Sequence, residues 1–287
     1  MVSYEIFLLV NSHNKFSIES IESFKKIRFN SSIKKYISIT KNCSDSFLEQ
    51  LNLKDIQVIQ HNNPFASLFE HMRWLTNFSK AEYISFFHDD DLFSEELLLT
   101  CYENLNKYLP VAFTTTSHNI DENAVIISRR KTKKINKVLK LRPIEILNRY
   151  FLPFGHPVVL PAIAFNRKIL NNYWQIFKFS NLSIFEDVRI IHFFSKKGLF
   201  IEIQNQDLYL YRINPFQISQ KRTEFDRLRL ISWLRNIEIA FIYKLLLVFF
   251  SKLQYFLFYK SEYLSSRILT NLFIKIRKLI IYLRVRR

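Results

Sequence analysis

Three consecutive aspartates, Asp89 to Asp91, are the residues of this chain whose type and spacing are best suited to chemistry. They follow an apolar run, Tyr83 to Phe87, whose composition predicts a buried strand. Adjacent like charges repel and are costly to remove from water, so such a cluster is tolerated in a solvated loop or where a cation neutralises it. Carboxylates at the carboxyl end of a strand suit Mg²⁺ or Mn²⁺ held together with substrate phosphates. The alternative is an acidic turn before a helix that begins near Ser94, because anions stabilise helix N-termini.

The elements that would position these aspartates are predicted by an alternation of strand-like and helix-like apolar runs. In the first ninety residues, strands are predicted at 4–10, 36–40, 56–60 and 83–87, with helices at 16–28, 46–51 and 66–78. This alternation favours an α/β fold with a parallel sheet. Later strands are predicted at 111–117, 124–128, 162–166, 199–203 and 207–211, with a helix at 187–196. The basic run at 129–140 is interpreted as a solvated loop.

Composition excludes several kinds of nucleotide site. The chain of 287 residues has only two glycines, whereas the glycine-rich dinucleotide fingerprint and the P-loop each need several. A nucleotide site would therefore rely on side chains and a metal. The two cysteines, Cys43 and Cys101, have no metal-type spacing and are expected to be reduced thiols, which suits a cytoplasmic protein. The N-terminal residues lack the basic segment and long apolar core of a signal peptide.

Positive charge is concentrated near the C-terminus. The net charge is +17, and residues 221–287 hold 15 Lys and Arg against 4 Asp and Glu. Apolar residues from Ile268 to Leu283 recur at three- and four-residue steps beside this basic composition. We expect residues 226–287 to associate with an anionic membrane surface; the alternative is a helix packed on the domain with a solvated basic face. Residues 237–259 carry too many polar residues to predict a good membrane span.

Two further motifs follow the aspartates. Glu186 and Asp187 open a predicted helix, and the segment Tyr209-Leu210-Tyr211-Arg212-Ile213-Asn214 comes shortly after it. With the aspartate triplet in the place of a DxD motif, these two segments resemble the ED and Y-R-x-H motifs of family 2 glycosyltransferases. The resemblance covers about residues 1–220 and implies a GT-A fold, with a nucleotide-sugar-binding half at 1–108 and an acceptor half at 109–220, followed by the basic region 221–287.

The resemblance implies an inverting transfer of a sugar from a nucleotide-diphosphate donor to a glycan hydroxyl. Asp90 and Asp91, or Asp89 in another register, would bind Mg²⁺ or Mn²⁺, which stabilises the diphosphate leaving group. Asp187 would be the base that activates the acceptor hydroxyl, and Glu186 would hold geometry or an acceptor hydroxyl. The basic tail adds the expectation of a lipid-linked acceptor, as in lipopolysaccharide, O-antigen or capsule assembly, at the inner face of the cell membrane.

Further residues are candidates for binding the two substrates. The donor would be bound by Asp89, Asp90, Asn11, Asp45 and Arg212, and His156 would contact the acceptor. Arg212 has the guanidinium geometry that matches phosphate oxygens. The alternative role for Arg212 is an ion pair at the end of a strand. The alternative for Asp187 is a helix cap, and the alternative for His156 is a structural hydrogen-bonding group.

The sequence departs from the family pattern at four places. The first strand is followed by Asn11-Ser12-His13 instead of the common proline-threonine ending. Thr40 or Lys41 stands where the second strand usually ends in a nucleobase-binding aspartate, with Asp45 as a possible substitute. Asn214 replaces the histidine of the third motif, and His88 stands where many relatives have an acid. These departures leave open a catalytically inactive scaffold. The charge also permits a nucleic-acid-binding protein, although no nucleic-acid motif is present, and a metallohydrolase is disfavoured because no histidine-rich ligand set accompanies the aspartates.

Overall fold

The computed structural model of the chain describes residues 1–11, 14–40, 56–61, 65, 67–128, 137–151, 158–177, 186–204, 208–213, 224–239 and 241–259. The strands are β1 (Tyr4–Val10), β2 (Ile33–Ile39), β3 (Gln57–Gln60), β4 (Tyr83–His88), β5 (Leu92–Phe93), β6 (Ala112–Thr115), β7 (Ser117–Ile120), β8 (Ile126–Ser128), β9 (Lys137–Lys140), β10 (Ile163–Asn166), β11 (Phe200–Gln204) and β12 (Tyr209–Arg212). The α-helices are α1 (Lys15–Lys26), α2 (Leu68–Phe78), α3 (Leu97–Tyr108), α4 (Pro143–Phe151), α5 (Arg167–Ile176), α6 (Glu186–Lys197), α7 (Glu224–Asn236) and α8 (Phe241–Tyr259).

The main sheet has eight described strands in the order β3-β2-β1-β4-β10-β6-β11-β9. Strands β3, β2, β1 and β4 are parallel, and β6 is parallel to β11. Strand β10 runs antiparallel between β4 and β6, so β6 has the same direction as β4. The carboxyl ends of β1, β2, β4, β6 and β11 therefore meet at one edge of the sheet, here called the carboxyl edge. This mixed, mostly parallel sheet confirms the predicted α/β class.

Apolar side chains cover both faces of the sheet, as expected for a buried parallel sheet. Along β1, every residue is buried, and successive side chains belong to different core clusters. One cluster joins the even-numbered residues of β1 to helices α1 and α3, and the other joins Phe7 and Leu9 to helices α2, α5 and α6. Three of the described helices begin at polar side-chain caps: Asn14 for α1, Ser67 for α2 and Asn166 for α5.

A smaller sheet lies beside the carboxyl edge. Its described strands have the order β5-β12-β7-β8, with β12 antiparallel to β5 and parallel to β7. Strand β5 begins directly after Asp91, whereas β4 ends directly before Asp89. The aspartate triplet is therefore the link between the two sheets.

The two C-terminal helices pack on the domain through a third apolar cluster. Leu230, Leu234 and Leu247 belong to this cluster together with side chains of α4 and α6. In the part of the chain that the structure describes, no helix combines the length and apolarity needed to cross a bilayer.

The structure also corrects the sequence interpretation in places. Residues 137–140, which we interpreted as part of a solvated loop, form β9 and pair antiparallel with β11. Two helices that the sequence did not predict, α4 and α5, lie over the sheet. The segment 111–117 contributes to two strands rather than one: β6 ends at Thr115 in the main sheet, and β7 begins at Ser117 in the smaller sheet.

Candidate active site

The ends of β1 and β4 bring Asn11 and the first aspartate together. The backbone amide of Asn11 donates a hydrogen bond to Oδ2 of Asp89 at 2.8 Å. The neighbouring His88 carbonyl accepts a hydrogen bond from Ser20 Oγ of α1 at 3.1 Å. Asn11 and Asp89, both expected from the sequence to bind the donor, thus lie side by side at the centre of the carboxyl edge.

Asp91 links the triplet to β12. Its side chain is fully buried: Oδ2 accepts a hydrogen bond from the Tyr209 hydroxyl at 2.6 Å, and Oδ1 accepts one from the Arg212 amide at 2.8 Å. Burial, followed by the charge of Asp90, raises the pKa of Asp91 well above its usual range, although both hydrogen bonds act in the opposite direction. Each oxygen thus accepts one protein hydrogen bond, and these two bonds fix the loop to β12.

The Arg212 side chain is also fully buried, and its guanidinium joins several parts of the site. Nε donates to the Asp90 carbonyl at 2.8 Å, and Nη2 donates to Glu19 Oε2 at 2.7 Å. Nη1 donates to the Asp121 and Glu122 carbonyls at 3.3 and 2.9 Å. The same group lies 4.7 Å from the centre of the Phe16 ring. For Arg212 to bind a diphosphate, as the sequence suggested, some of these contacts would have to be exchanged.

The residues around Asp90 fit a divalent cation. Candidate ligand atoms of His88, Asp90 and Asp91 lie within 4.8 Å of one another. Nε2 of His88 is buried and has no hydrogen-bond partner among the described residues. Burial lowers the pKa of His88, an effect that Asp90 opposes. A neutral imidazole and a partly buried carboxylate are a donor set that Mn²⁺ accepts.

Glu186 and Asp187 begin helix α6. This helix leads into β11 through only Gly198 and Leu199, and β11 ends at the carboxyl edge. Because a helix that connects to a strand this closely runs back along the sheet, the N-terminus of α6 points towards that edge. The sheet topology thus directs the ED segment to the side of the molecule that holds the aspartates.

The two acids of this segment have different surroundings. Glu186 is buried, and its carboxylate accepts hydrogen bonds from the Tyr173 hydroxyl and from Arg189 Nη1, the latter at 2.8 Å. Burial, and then the charge of Glu186, raises the pKa of Tyr173, so this hydroxyl remains a donor. Asp187 is only partly buried, and its Oδ1 accepts a hydrogen bond from the Val188 amide at 2.7 Å. The more accessible of the two carboxylates is therefore the predicted base, Asp187.

Two predicted site residues, Asp45 and His156, lie outside the described residues. Thr40, one of the two positions where the family has its nucleobase aspartate, is buried, and its amide donates to the Val10 carbonyl at 3.1 Å. The end of β2 is thus next to the end of β1, as the resemblance requires.

Sequence reasoning did not identify all residues that build the site. Tyr209 belongs to the segment that resembles the Y-R-x-H motif, but nothing in the sequence indicated its hydrogen bond to Asp91. Glu19 lies in an ordinary helical run, and its pairing with Arg212 spans 193 positions. A groove of about 550 Å³ lies between α1 and β5 and includes Glu19, but none of the three aspartates lines it. It adjoins the candidate active site at Glu19 without reaching the aspartates.

Known proteins resemble the chain in part of its sequence and in its fold. No protein-family model matches the chain. Glycosyltransferase GlyG of Streptococcus pneumoniae serotype 4 is 29% identical over 170 residues, which make up 58% of this chain and 54% of that protein. The chain thus spans about half the length of this curated relative.

Solved structures of S. aureus TarS are similar in fold. TarS 1–349 in complex with UDP-GlcNAc has a TM-score of 0.63 at 12% identity, covering 88% of this chain and 72% of that one. The complex with UDP has a TM-score of 0.59 at 13% identity, covering 91% and 73%. The chain therefore has the GT-A glycosyltransferase fold, and over part of its length it is similar in sequence to a bacterial glycosyltransferase.

Proposed function

We propose that the chain is an inverting glycosyltransferase that moves a sugar from a nucleotide-diphosphate donor to a hydroxyl of a glycan acceptor. The observation that carries the proposal is the placement of Asp89 to Asp91 at the centre of the carboxyl edge of a GT-A sheet. Ligands of open α/β sheets bind at this edge. The similarity to GlyG and the nucleotide-sugar complex of TarS support a nucleotide-sugar donor.

The three aspartates and their neighbours would have different roles in binding the donor and the metal. Asp90 and His88 would hold a divalent ion, which when bound supplies Lewis-acid stabilisation for a diphosphate leaving group. Asp89, fixed by the Asn11 amide, would bind the donor. Asp91 and Arg212 would hold the backbone of this loop in place through their bonds to β12 and to the Asp90 carbonyl.

Asp187 would act as the base in a single displacement. It would accept the proton of the acceptor hydroxyl as that oxygen attacks the anomeric carbon, and the nucleoside diphosphate would leave from the opposite face. A positioned base contributes about 10²–10⁴-fold to such a step. Glu186, held by Tyr173 and Arg189, would fix the start of α6 and so the position of Asp187.

The acceptor would be lipid-linked, as in lipopolysaccharide, O-antigen or capsule assembly, and the protein would be peripheral on the inner face of the cell membrane. The basic composition of residues 221–287 supports this part of the proposal. A surface-bound enzyme meets a membrane-anchored acceptor more often than a freely diffusing one does. No nucleic-acid partner is proposed.

The experiment that tests the donor site is calorimetric titration of the protein with a panel of nucleotide sugars, with and without Mn²⁺. Metal-dependent binding of one donor by the wild type, and its loss in Asp90→Asn, is the expected result. Glu103→Gln is the control, because it makes the corresponding change in an exposed carboxylate of α3, outside the site. If no donor binds, the proposal fails and the inactive scaffold, which Thr40 and Lys41 favour, replaces it.

A further inference from the structure

Helix α8 exposes an apolar ridge formed by Phe241, Leu245 and Phe249, whose exposed fractions are 72%, 53% and 55%. The three residues are four positions apart, so they form one stripe along the helix. Leu246, at 37% exposure, widens the stripe on one side. Large apolar side chains exposed as a continuous row indicate an interaction surface, whereas single exposed ones are ordinary.

The orientation of the ridge is fixed by the other face of the same helix. Leu247, Phe250 and Ser251 are buried, and Leu247 belongs to the cluster that joins α8 to α4, α6 and α7. Lys244 Nζ also donates a hydrogen bond to the Arg235 carbonyl at the end of α7. The helix is therefore docked on the domain, and its apolar ridge faces outwards.

The charges around the ridge are almost all positive. Lys252 is exposed and follows Phe249 on the same face, and Arg235 is exposed at the end of α7. Glu238 is the nearest acid in the sequence, and it lies 3.8 Å from the Lys196 ammonium. From 239 to 259 the sequence has no acid. An apolar stripe with cationic neighbours complements the headgroups and acyl chains of an anionic bilayer.

We propose that the ridge of α8 inserts into the interfacial region of an anionic phospholipid membrane and so sets the orientation of the domain on it. The inference rests on the proposed membrane association and deepens it, because it assigns the contact to a docked helix rather than only to the basic residues beyond it. Since α8 packs on α4, and α4 packs on α6 in the third cluster, the orientation of the ridge is coupled through α4 to the helix that begins with Glu186 and Asp187.

The test compares the full-length wild type with the triple variant Phe241→Ser, Leu245→Ser, Phe249→Ser in flotation with vesicles. One set of vesicles is phosphatidylcholine and the other contains phosphatidylglycerol. We expect the triple variant to bind the anionic vesicles at least about tenfold more weakly, because membrane affinity scales with the apolar area inserted. The matched control is Val125→Ser, Ile127→Ser, which removes residues of 58% and 54% exposure from the β7–β8 hairpin and should not change binding.

A second measurement locates the ridge directly. In Phe249→Trp, anionic vesicles should shift the fluorescence emission of the added tryptophan to shorter wavelengths. Brominated lipid should quench the emission of this variant more than it quenches the wild type, which has three tryptophans. Unchanged flotation of the triple Ser variant, or no quenching, would overturn the proposal. So would a change in oligomeric mass in the Ser variant without a change in flotation, since the ridge would then contact a second copy. Donor binding is measured separately, so failure here is distinguishable from failure of the proposed activity.

Discussion

Replacing Arg212 by lysine separates two roles for this residue, because lysine keeps the charge and loses the planar fork of donors. In the structure, the guanidinium serves three carbonyls and the Glu19 carboxylate. A single ammonium cannot reach all four acceptors. Each buried acceptor left without a donor costs about 1–3 kcal/mol, so losing one or two of them predicts a loss of about 2–4 kcal/mol of unfolding free energy.

The second expected effect is on the metal loop. Nε of Arg212 donates a hydrogen bond to the Asp90 carbonyl. Without this bond, the backbone of the residue that carries a proposed metal ligand is held less firmly. Loss of an outer-shell partner typically lowers metal affinity about 10–100-fold. Urea unfolding measures the stability of Arg212→Lys, and electron paramagnetic resonance of free Mn²⁺ measures its metal affinity. Arg212→Ala is avoided because breaking a buried ion pair costs about 3–5 kcal/mol, a large part of the stability of a typical domain.

The control for this substitution is Arg28→Lys. The Arg28 side chain is 62% exposed and pairs with Glu95 and Glu96 at the surface, where such pairs contribute less than about 1 kcal/mol. Glu19→Gln should cost less than Arg212→Lys, and the double variant should show a coupling energy of at least about 0.5 kcal/mol, because the two side chains are in contact. Suppose instead that Arg212→Lys keeps both stability and Mn²⁺ affinity but weakens binding of a nucleoside diphosphate. That result would refute the proposed role of Arg212 in holding the loop, and Arg212 would bind phosphate as the sequence suggested.

Three other predictions follow from the site and the core. Asp187→Asn should lower kcat by about 10²–10⁴-fold without loss of stability. Glu186→Gln should lower the thermal midpoint of unfolding, because it weakens the bonds to Tyr173 and Arg189. Equal losses of kcat in both variants, without destabilisation, would contradict these separate roles of base and positioning residue. Asp90→Asn should weaken Mn²⁺ binding by more than the 10–100-fold typical of an outer-shell change, and more than Asp89→Asn does; the reverse order would move the metal to Asp89. Burial, helped by Lys196, lowers the pKa of the buried His192 to about 4, so the unfolded chain takes up a proton first as the pH falls. Stability of about 3 kcal/mol should therefore be lost between pH 6.5 and 4, and His192→Phe should reduce that loss in urea titrations at several pH values, whereas parallel curves would contradict it.

The sequence predicted the first half of the fold well because its periodicity is local. Strand β1 was predicted with its observed bounds, and β4 and α2 to within two residues. The later half was harder for physical reasons. Helix α5 has a mixed run with two asparagines, which favour caps over helix interiors, and its stability comes from Tyr173 and Trp174 buried in the core. Strand β9 is short and lysine-rich, and only its pairing with β11 defines it.

In the candidate site, too, local features could be predicted from the sequence and contacts between distant residues could not. The motifs located the aspartates and the ED pair, because residue type and order are visible in a sequence. The roles within each group depend on burial and on distant partners. Asp91 and Asp90 are neighbours in sequence, yet Asp91 is enclosed by Tyr209 and the Arg212 amide, whereas Asp90 stays partly accessible. No local pattern encodes that difference.

The link between the two sheets also has a consequence for biosynthesis. The Asp91 carboxylate leaves the ribosome long before its partners, because the Arg212 amide is 121 positions further along the chain. At about 5–20 residues per second, the nascent chain carries this acidic loop without β12 for roughly 6–24 s. A chain that ends before β12 would keep the aspartates but lack the strand that encloses Asp91, so the site can be completed only after β12 has been synthesised.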